Sequence, residues 1–199
     1  MNANIQIIAK EGWFGGIVLG ILFLAFAFLE LEFLSFVFLV GFILWLFIFR
    51  NPERIVKDQD SSFLSPVDGV IKNIDILEQS ICVQIYTGIL DVGVVRAPCD
   101  ISHATLSKRG GVTLCCAKKD KKELLNETFA LKWKNFCLEF FPEFFTNSNI
   151  YADSNLVIGE RCGYMKKGIT KIYLPKDSEL KIGIGDKVVS ANSVIGFIS

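Results

Sequence analysis

The sequence predicts a mainly β protein, in which a compact sandwich-like or barrel-like β domain is preceded by an N-terminal membrane helical hairpin. An apolar block over residues 14–49 contains only two charged residues, Glu30 and Glu32. Beyond it, short β-patterned runs recur about every ten residues, with turn residues between them. We therefore divide the chain into an N-terminal cytoplasmic segment (1–12), the hairpin (13–49) and a β domain (50–199).

The composition excludes some classes of protein. The chain has 199 residues, of which 21 are basic and 21 acidic. This balance argues against nucleic acid as a partner, because a nucleic-acid-binding domain carries a basic excess. Six cysteines without a Cys-x-x-Cys spacing and a single histidine predict no metal site. In a cytoplasmic domain we expect the cysteines to act as small buried apolar residues.

The length of the apolar block predicts a hairpin. As one helix it would extend ~54 Å, which is far longer than the ~30 Å hydrocarbon core of a bilayer. Division at residues 29–32 gives two arms, Trp13–Leu29 and Phe33–Phe49, each ~26 Å long. The arms form either two thin spans or a re-entrant wedge. The tip contains no Gly, Pro or Asn to turn the chain.

The charges around the hairpin predict its orientation. Lys10 precedes the block, Arg50, Arg54 and Lys57 follow it, and the tip carries only acids. The positive-inside rule therefore places both chain ends, and the β domain, on the cytoplasmic face of the cell inner membrane. A basic run at 118–122 is interpreted as either a solvated loop or a lipid-headgroup contact.

Turn residues and β-patterned runs outline the domain. Pro52 ends the second arm, and the turn at Ser65–Gly69 leads into the first strand. We also predict a hairpin turn at Gly185-Asp186. The predicted strands are Val70–Leu77, Ile81–Ile85, Val92–Ala97, Phe129–Lys134, Ile172–Leu174, Leu180–Ile182 and Ser193–Ile198.

Six blocks of the sequence stand out: FRNPER (49–54), LSPVDGVI (64–71), DVGVVRAP (91–98), LLNE (124–127), GERCGYMKKGITKIYLP (159–175) and GDKVVSANSVIG (185–196). Together and in this order they resemble one known family, the short form of the phosphatidylserine decarboxylases. The resemblance implies a proenzyme in which a serine after a glycine attacks its own backbone carbonyl, helped by an Asp and a His. The new N-terminal pyruvoyl group forms a Schiff base with phosphatidylserine and accepts electrons as carbon dioxide leaves, which gives phosphatidylethanolamine.

The resemblance identifies Asp68 as the family acid, but the other two positions depart from the pattern. The family histidine falls at Gly93, and the cleavage block reads Gly168-Ile169-Thr170 instead of Gly-Ser. Ile169 has no hydroxyl, so it can neither attack a carbonyl nor become a pyruvoyl group. Thr170 is one residue further along, and in a strand one step places its side chain on the opposite face.

Other candidates are weaker. His103, the single histidine, is a substitute base, and Arg96 and Arg161 are candidate substrate-binding residues. The stretch 136–149 is apolar and lacks the paired arginines of the family. If the chemistry is lost, Asp68 is expected to be a turn residue whose carboxylate accepts hydrogen bonds from backbone N–H groups between Pro66 and Val70.

Three functions remain open from the sequence. The first is a non-processing, catalytically impaired relative that keeps the fold and binds membrane phospholipid or other phospholipid-synthesis enzymes, without a pyruvoyl cofactor. The second is an active decarboxylase that uses displaced groups, with Thr170 as nucleophile or His103 as base. The third is a biotinyl- or lipoyl-like carrier module, because Lys166 lies in a hairpin-like Met-Lys context. The sequence does not determine the oligomeric state.

Overall fold

The computed structural model describes residues 7–56, 62–112, 114, 121, 124–144, 148–151 and 155–198. The chain divides into two compact units, residues 1–53 and 54–199, and each is described by itself. The predicted domain boundary at residue 50 lies four residues before the observed one. Asn2, Cys115, Cys116 and all of the basic run 118–122 except Lys121 lie outside the described residues.

The first unit is a helical hairpin. A short 3₁₀ helix, Lys10–Gly12, leads into α1, Trp13–Phe28, and α2 follows at Glu32–Ile48. The Trp45 indole Nε1 donates a hydrogen bond to the Gly12 carbonyl at 2.8 Å, and Phe26 stacks on Phe38 with ring centroids 5.0 Å apart. The segment Lys10–Phe28 is long and apolar enough to span a membrane, whereas α2 has 17 residues.

The hairpin turns without the residues that usually make such a turn. Glu30 adopts a left-handed φ of 56°. The Leu31 N–H donates to the Phe26 carbonyl and the Glu30 N–H donates to the Ala27 carbonyl, which is the Schellman arrangement that commonly ends a helix. A non-glycine residue in this conformation costs roughly 1–2 kcal/mol, and the two capping hydrogen bonds offset part of that cost.

The second unit contains fifteen strands among the described residues. Their bounds are β1 Ser62–Leu64, β2 Gly69–Ile76, β3 Ser80–Thr87, β4 Val94–Arg96, β5 Ile101–Ser102, β6 Thr105–Arg109, β7 Thr128–Trp133, β8 Phe136–Phe144, β9 Asn149–Ile150, β10 Asn155–Leu156, β11 Arg161–Tyr164, β12 Lys167–Pro175, β13 Glu179–Leu180, β14 Lys187–Val188 and β15 Val194–Phe197. Seven of them form one antiparallel sheet in the order β14-β2-β3-β12-β8-β7-β6.

Three small sheets share a hydrophobic core with the large sheet. Their orders are β1-β15-β13, β4-β11-β9 and β10-β5. Ile85, Phe140 and Ile172 of the large sheet are fully buried in the same cluster as Phe63 of β1 and Ile195 of β15. This layered packing confirms the mainly β fold class, and the sheets formed by the described residues do not close into a barrel.

Two features of the second unit differ from the expectation. The stretch at 136–149 supplies β8, which lies between β12 and β7. Pro142 pairs with Gly168 of β12. It is tolerated inside this sheet because the β12–β8 register shifts between Lys167 and Gly168. Gly185 and Asp186 do form a turn, but the turn joins β13 and β14, which belong to different sheets. The predicted hairpin there is therefore wrong.

Candidate functional site

Two of the candidate positions meet at one end of the large sheet. Asp68 directly precedes β2, and its carbonyl accepts a hydrogen bond from the Thr87 hydroxyl at 2.7 Å. Thr87 ends β3 and pairs with Gly168 of β12, which in turn pairs with Pro142 of β8. Because neighbouring strands lie about 4.8 Å apart, Asp68 and Gly168 are separated by roughly 10 Å. We call this end of the strands the Gly168 end of the sheet, and the opposite end of the strands the Pro175 end.

The Asp68 carboxylate is held by partners that are distant in sequence. Arg54 donates from Nη1 to Oδ1 at 2.5 Å and from Nη2 to Oδ2 at 2.6 Å. The Ser190 N–H donates to Oδ1 at 2.8 Å. The prediction that this carboxylate caps N–H groups between Pro66 and Val70 is wrong, because its hydrogen bonds come from Arg54 and Ser190 instead.

The ion pair joins three segments of the domain. Arg54 Nη1 also donates to the Ser190 carbonyl at 2.8 Å, and the Arg54 and Asp68 side chains are 11% and 13% exposed. A bidentate pair of this kind combines charge with fixed geometry. Since three donors already engage the carboxylate, Asp68 acts here as an anchor for the chain entering β2. Sequence reasoning missed Arg54 as its partner, although Arg54 lies in the FRNPER block.

The cleavage-block residues alternate across β12. Gly168, Thr170 and Ile172 face the core, whereas Ile169 and Lys171 lie on the other, partly exposed face. The prediction that Ile169 and Thr170 lie on opposite faces of the strand is confirmed. Gly168 approaches β8 so closely that an added Cβ would collide with the Phe141 carbonyl oxygen, so the glycine itself is required by the packing.

The Thr170 hydroxyl is buried in apolar surroundings. Thr170 is fully buried, and its cross-strand neighbours are Ile85 and Phe140, which are also fully buried. Among the described residues, Thr170 Oγ1 has no hydrogen-bond partner. The strand β3 separates it from Asp68. A hydroxyl in this environment has neither a base nor access to water.

Gly93, the predicted histidine position, lies against an aromatic ring. A Cβ on Gly93 would lie 2.9 Å from Cζ and 3.0 Å from Cε2 of Tyr164. Tyr164 ends β11 and is almost fully buried. The Met165 N–H donates to the Gly93 carbonyl at 2.7 Å, which fixes the two segments side by side. An imidazole at position 93 would have to displace the Tyr164 ring.

Comparison with known proteins decides the family. The sequence profile of the family described as phosphatidylserine decarboxylase matches residues 42–196, a range that includes Asp68, Gly93 and Gly168. The chain belongs to the phosphatidylserine decarboxylase family. The match covers the last seven residues of α2 (42–48) and nearly all of the β domain.

Relatives of full length agree with this assignment. The chain is 29% identical to the phosphatidylserine decarboxylase proenzyme of Carboxydothermus hydrogenoformans, over 95% of each chain. It is 27% identical to the enzyme of the same name from Desulfotalea psychrophila, over 85% of this chain and 86% of the relative. The corresponding protein of Geotalea uraniireducens is 24% identical over 96% of each chain. No solved structure matches the chain.

His103 lies far from Asp68 and Gly168. His103 is exposed in the turn between β5 and β6, with a left-handed φ of 57°. Its N–H donates to Asn155 Oδ1 at 3.3 Å. Since Thr105, at the start of β6, pairs with Lys132 toward the Pro175 end, His103 is not brought to Asp68 or Gly168.

Arg96 and Arg161 are direct partners on β4 and β11. Arg96 is buried, and its Nη1 donates to the Gly159 carbonyl at 3.1 Å. Its backbone N–H donates to the Pro66 carbonyl at 2.9 Å, so it supports the turn before Asp68. Arg96 therefore makes structural hydrogen bonds within the domain. A role in substrate binding stays a prediction for both arginines.

Lys166 is not available for a carrier function. It is fully buried, and its Nζ donates to the Asp91 carbonyl at 2.7 Å. A biotinyl or lipoyl group requires a lysine at an exposed hairpin tip, so the structure contradicts the carrier interpretation. Lys166 instead holds the segment before Gly93 in place through Asp91. It directly follows Met165, whose N–H donates to the Gly93 carbonyl.

The four described cysteines are free thiols. Burial raises the pKa of Cys162 to about 12 and the pKa values of Cys99 and Cys137 to about 11. Burial is also the main cause of the raised pKa of Cys82. Cys82 and Cys162 are buried as expected, whereas Cys99 and Cys137 are only partly buried. The raised pKa values keep all four thiols protonated and unreactive near neutral pH.

Proposed function

We propose that this chain is a non-processing member of the phosphatidylserine decarboxylase family that retains the fold and an association with membrane phospholipid. The single observation that carries the proposal is the cleavage segment. Its serine position is Ile169, and the adjacent hydroxyl of Thr170 is buried on the opposite, core-facing side of β12. Neither residue offers the backbone Gly168 carbonyl an activated nucleophile.

The residues do not fit a pyruvoyl group. In active members this group supplies an electron sink for decarboxylation and originates from the serine at the cleavage site. Here Ile169 has no oxygen from which it could form. The helper positions agree with this, because Gly93 is covered by the Tyr164 ring and Asp68 is engaged by Arg54 and Ser190. We derive no catalytic step through the group.

An active enzyme with displaced groups is the competing function. It would need Thr170 as nucleophile, or His103 as base. The buried setting of Thr170 and the position of His103 near the other end of the sheet both weigh against it. No described contact favours it over the non-processing function.

The mass of the purified full chain tests the proposal. We expect one intact species of 22.3 kDa that does not react with a carbonyl reagent such as a hydrazide. The intact mass and the hydrazide reactivity of the Ile169→Ser variant are measured beside those of the parent chain. A C-terminal fragment that begins near residue 169 or 170 and carries a hydrazide-reactive carbonyl in the parent would refute the proposal.

The proposed location is the cytoplasmic face of the inner membrane. The basic residues at both ends of the hairpin and the apolar helix Lys10–Phe28 support it. A reporter fused after Ser199 should be active in its cytoplasmic form and inactive in its periplasmic form. The reverse pattern would overturn the orientation. Other phospholipid-synthesis enzymes are proposed as protein partners, since a non-processing relative can act through binding.

A further inference from the structure

Exposed aliphatic side chains gather on the loops at the Gly168 end of the large sheet. Leu90 is 69% exposed and follows the end of β3 by three residues. Leu124 and Leu125 are 73% and 53% exposed. They precede Asn126, whose Nδ2 donates to the carbonyl of Pro142, the neighbour of Gly168, at 3.0 Å.

Two further side chains extend this surface. Val112 is exposed, and its N–H donates to the Leu125 carbonyl at 2.9 Å. Ile55 is 91% exposed and follows Arg54, the partner of Asp68. The five side chains, Ile55, Leu90, Val112, Leu124 and Leu125, are here called the aliphatic rim. Exposed apolar surface in one region commonly marks a binding site for a protein or a membrane.

Exposed basic residues lie near the aliphatic rim, together with the acids Glu53 and Asp91. Arg109, at the Gly168 end of β6, and Lys121, between Val112 and Leu124 in the chain, are both exposed. Two glutamates form ion pairs: Glu127 Oε1 lies 2.6 Å from Lys108 Nζ, and Glu143 Oε2 lies 3.8 Å from Lys167 Nζ. The Asp91 carboxylate accepts a hydrogen bond from the Gly88 N–H at 2.8 Å. The exposed Arg109 and Lys121 are therefore the side chains that would contact an anionic surface.

The chain itself also favours a bilayer over a protein. Only five residues, 49–53, separate the last residue of α2 from Arg54, and an extended chain of that length reaches about 20 Å at most. Arg54 is bound to Asp68 at the Gly168 end, so this end lies on a short tether to an apolar hairpin. The rim is aliphatic on separate loops, whereas the centres of protein interfaces are enriched in aromatic residues.

We propose that the aliphatic rim inserts into the surface of an anionic phospholipid bilayer, with the Gly168 end facing the lipid. This rests on the membrane association in the proposed function and extends it to named residues of the β domain. The Asp68–Arg54 pair then fixes the chain that leaves the hairpin against the same surface.

Photocrosslinking tests the docking surface. The photoreactive residue benzoylphenylalanine replaces Leu90 or Leu124 in the full chain and, as a matched control, the exposed Ile76 at the Pro175 end. Each protein is reconstituted in vesicles of phosphatidylcholine, with or without phosphatidylglycerol. We expect several-fold more lipid adduct at 90 and 124 than at 76, and more adduct in the anionic vesicles.

Three results would overturn this inference. These are equal lipid adducts at 76 and 124, no increase with phosphatidylglycerol, or adducts to a protein instead of lipid when the same variants are irradiated in native membranes. The mass of the same preparations separates this test from the proposed function. A split chain with lipid adducts would defeat only the non-processing function, and an intact chain without adducts would defeat only the docking surface.

Discussion

The two ends of the large sheet hold their polar side chains in different ways. At the Gly168 end, Asp68 binds Arg54 and Ser190, which are 14 and 122 residues away in sequence. Toward the Pro175 end, Asn73 donates to the nearby Asp75 carboxylate at 2.8 Å, and the Tyr173 hydroxyl donates to Glu139 at 3.1 Å. The first set is buried and ties Asp68 to the C-terminal segment at Ser190, whereas the second lies on a partly exposed face.

The difference bears on the proposed function. Asp68, the predicted family acid, hydrogen-bonds to the backbone of the C-terminal segment. Under the proposed function, Ile169 and Gly93 replace the hydroxyl and the imidazole, and the Tyr164 ring packs against Gly93. The Gly168 end is therefore built as a rigid support, and changes there should affect stability more than changes near the other end.

The largest expected effect follows from Asp68→Ala. This change leaves the Arg54 guanidinium, which is 11% exposed, without its carboxylate, and the loss of one partner from a buried pair costs about 3–5 kcal/mol. Thermal unfolding of the full chain in detergent, followed by near-ultraviolet circular dichroism, measures the effect. Asp68→Asn should cost less, because its amide oxygen still accepts the Ser190 N–H.

His103→Ala is the control near the other end. His103 is exposed, and its N–H contact to Asn155 involves only the backbone, so we expect a change within about 0.5 kcal/mol. If Asp68→Ala and His103→Ala melt at the same temperature, the ion pair does not support the Gly168 end, and the contrast between the two ends fails.

A smaller effect is expected from Gly93→His. The new side chain meets the Tyr164 ring, and overpacking of this kind costs about 1–3 kcal/mol. Adding Tyr164→Ala to Gly93→His should recover part of the loss, which a double-mutant cycle measures as coupling. Gly110→His is the control, because nothing lies within 4 Å of a Cβ at Gly110. Additive costs for positions 93 and 164 would show that the ring does not close the histidine position.

The smallest effect has the opposite sign. Thr170→Val removes a buried hydroxyl that has no partner among the described residues and keeps the shape of the side chain. We expect a gain of about 1 kcal/mol in the free energy of unfolding. Thr87→Val is the matched control: Thr87 is equally buried but donates to the Asp68 carbonyl, so it should lose about 1 kcal/mol. A loss of stability in Thr170→Val would indicate that its hydroxyl is engaged.

The sequence predicted the elements with the strongest local patterns. The two arms of the hairpin agree with α1 and α2 within one residue at each end, because the length of the apolar block and the acidic tip mark them. The run at Val70–Leu77 appears as β2, displaced by one residue. The sequence prediction missed β8, because Phe136–Phe144 places Cys137 and Phe141 on the same face as Glu139 and Glu143 and contains Pro142. These features obscure the alternation of a strand.

The sequence by itself determined that position 169 lacks a hydroxyl, that position 93 lacks an imidazole, and that Thr170 faces away from Ile169. These follow from residue identity and from the two-residue period of a strand. Only the tertiary structure decided that Asp68 binds Arg54 and Ser190, that Tyr164 covers Gly93, and that Lys166 is buried. Such contacts join segments that are far apart in the chain, and a local pattern carries no information about which strands will pair.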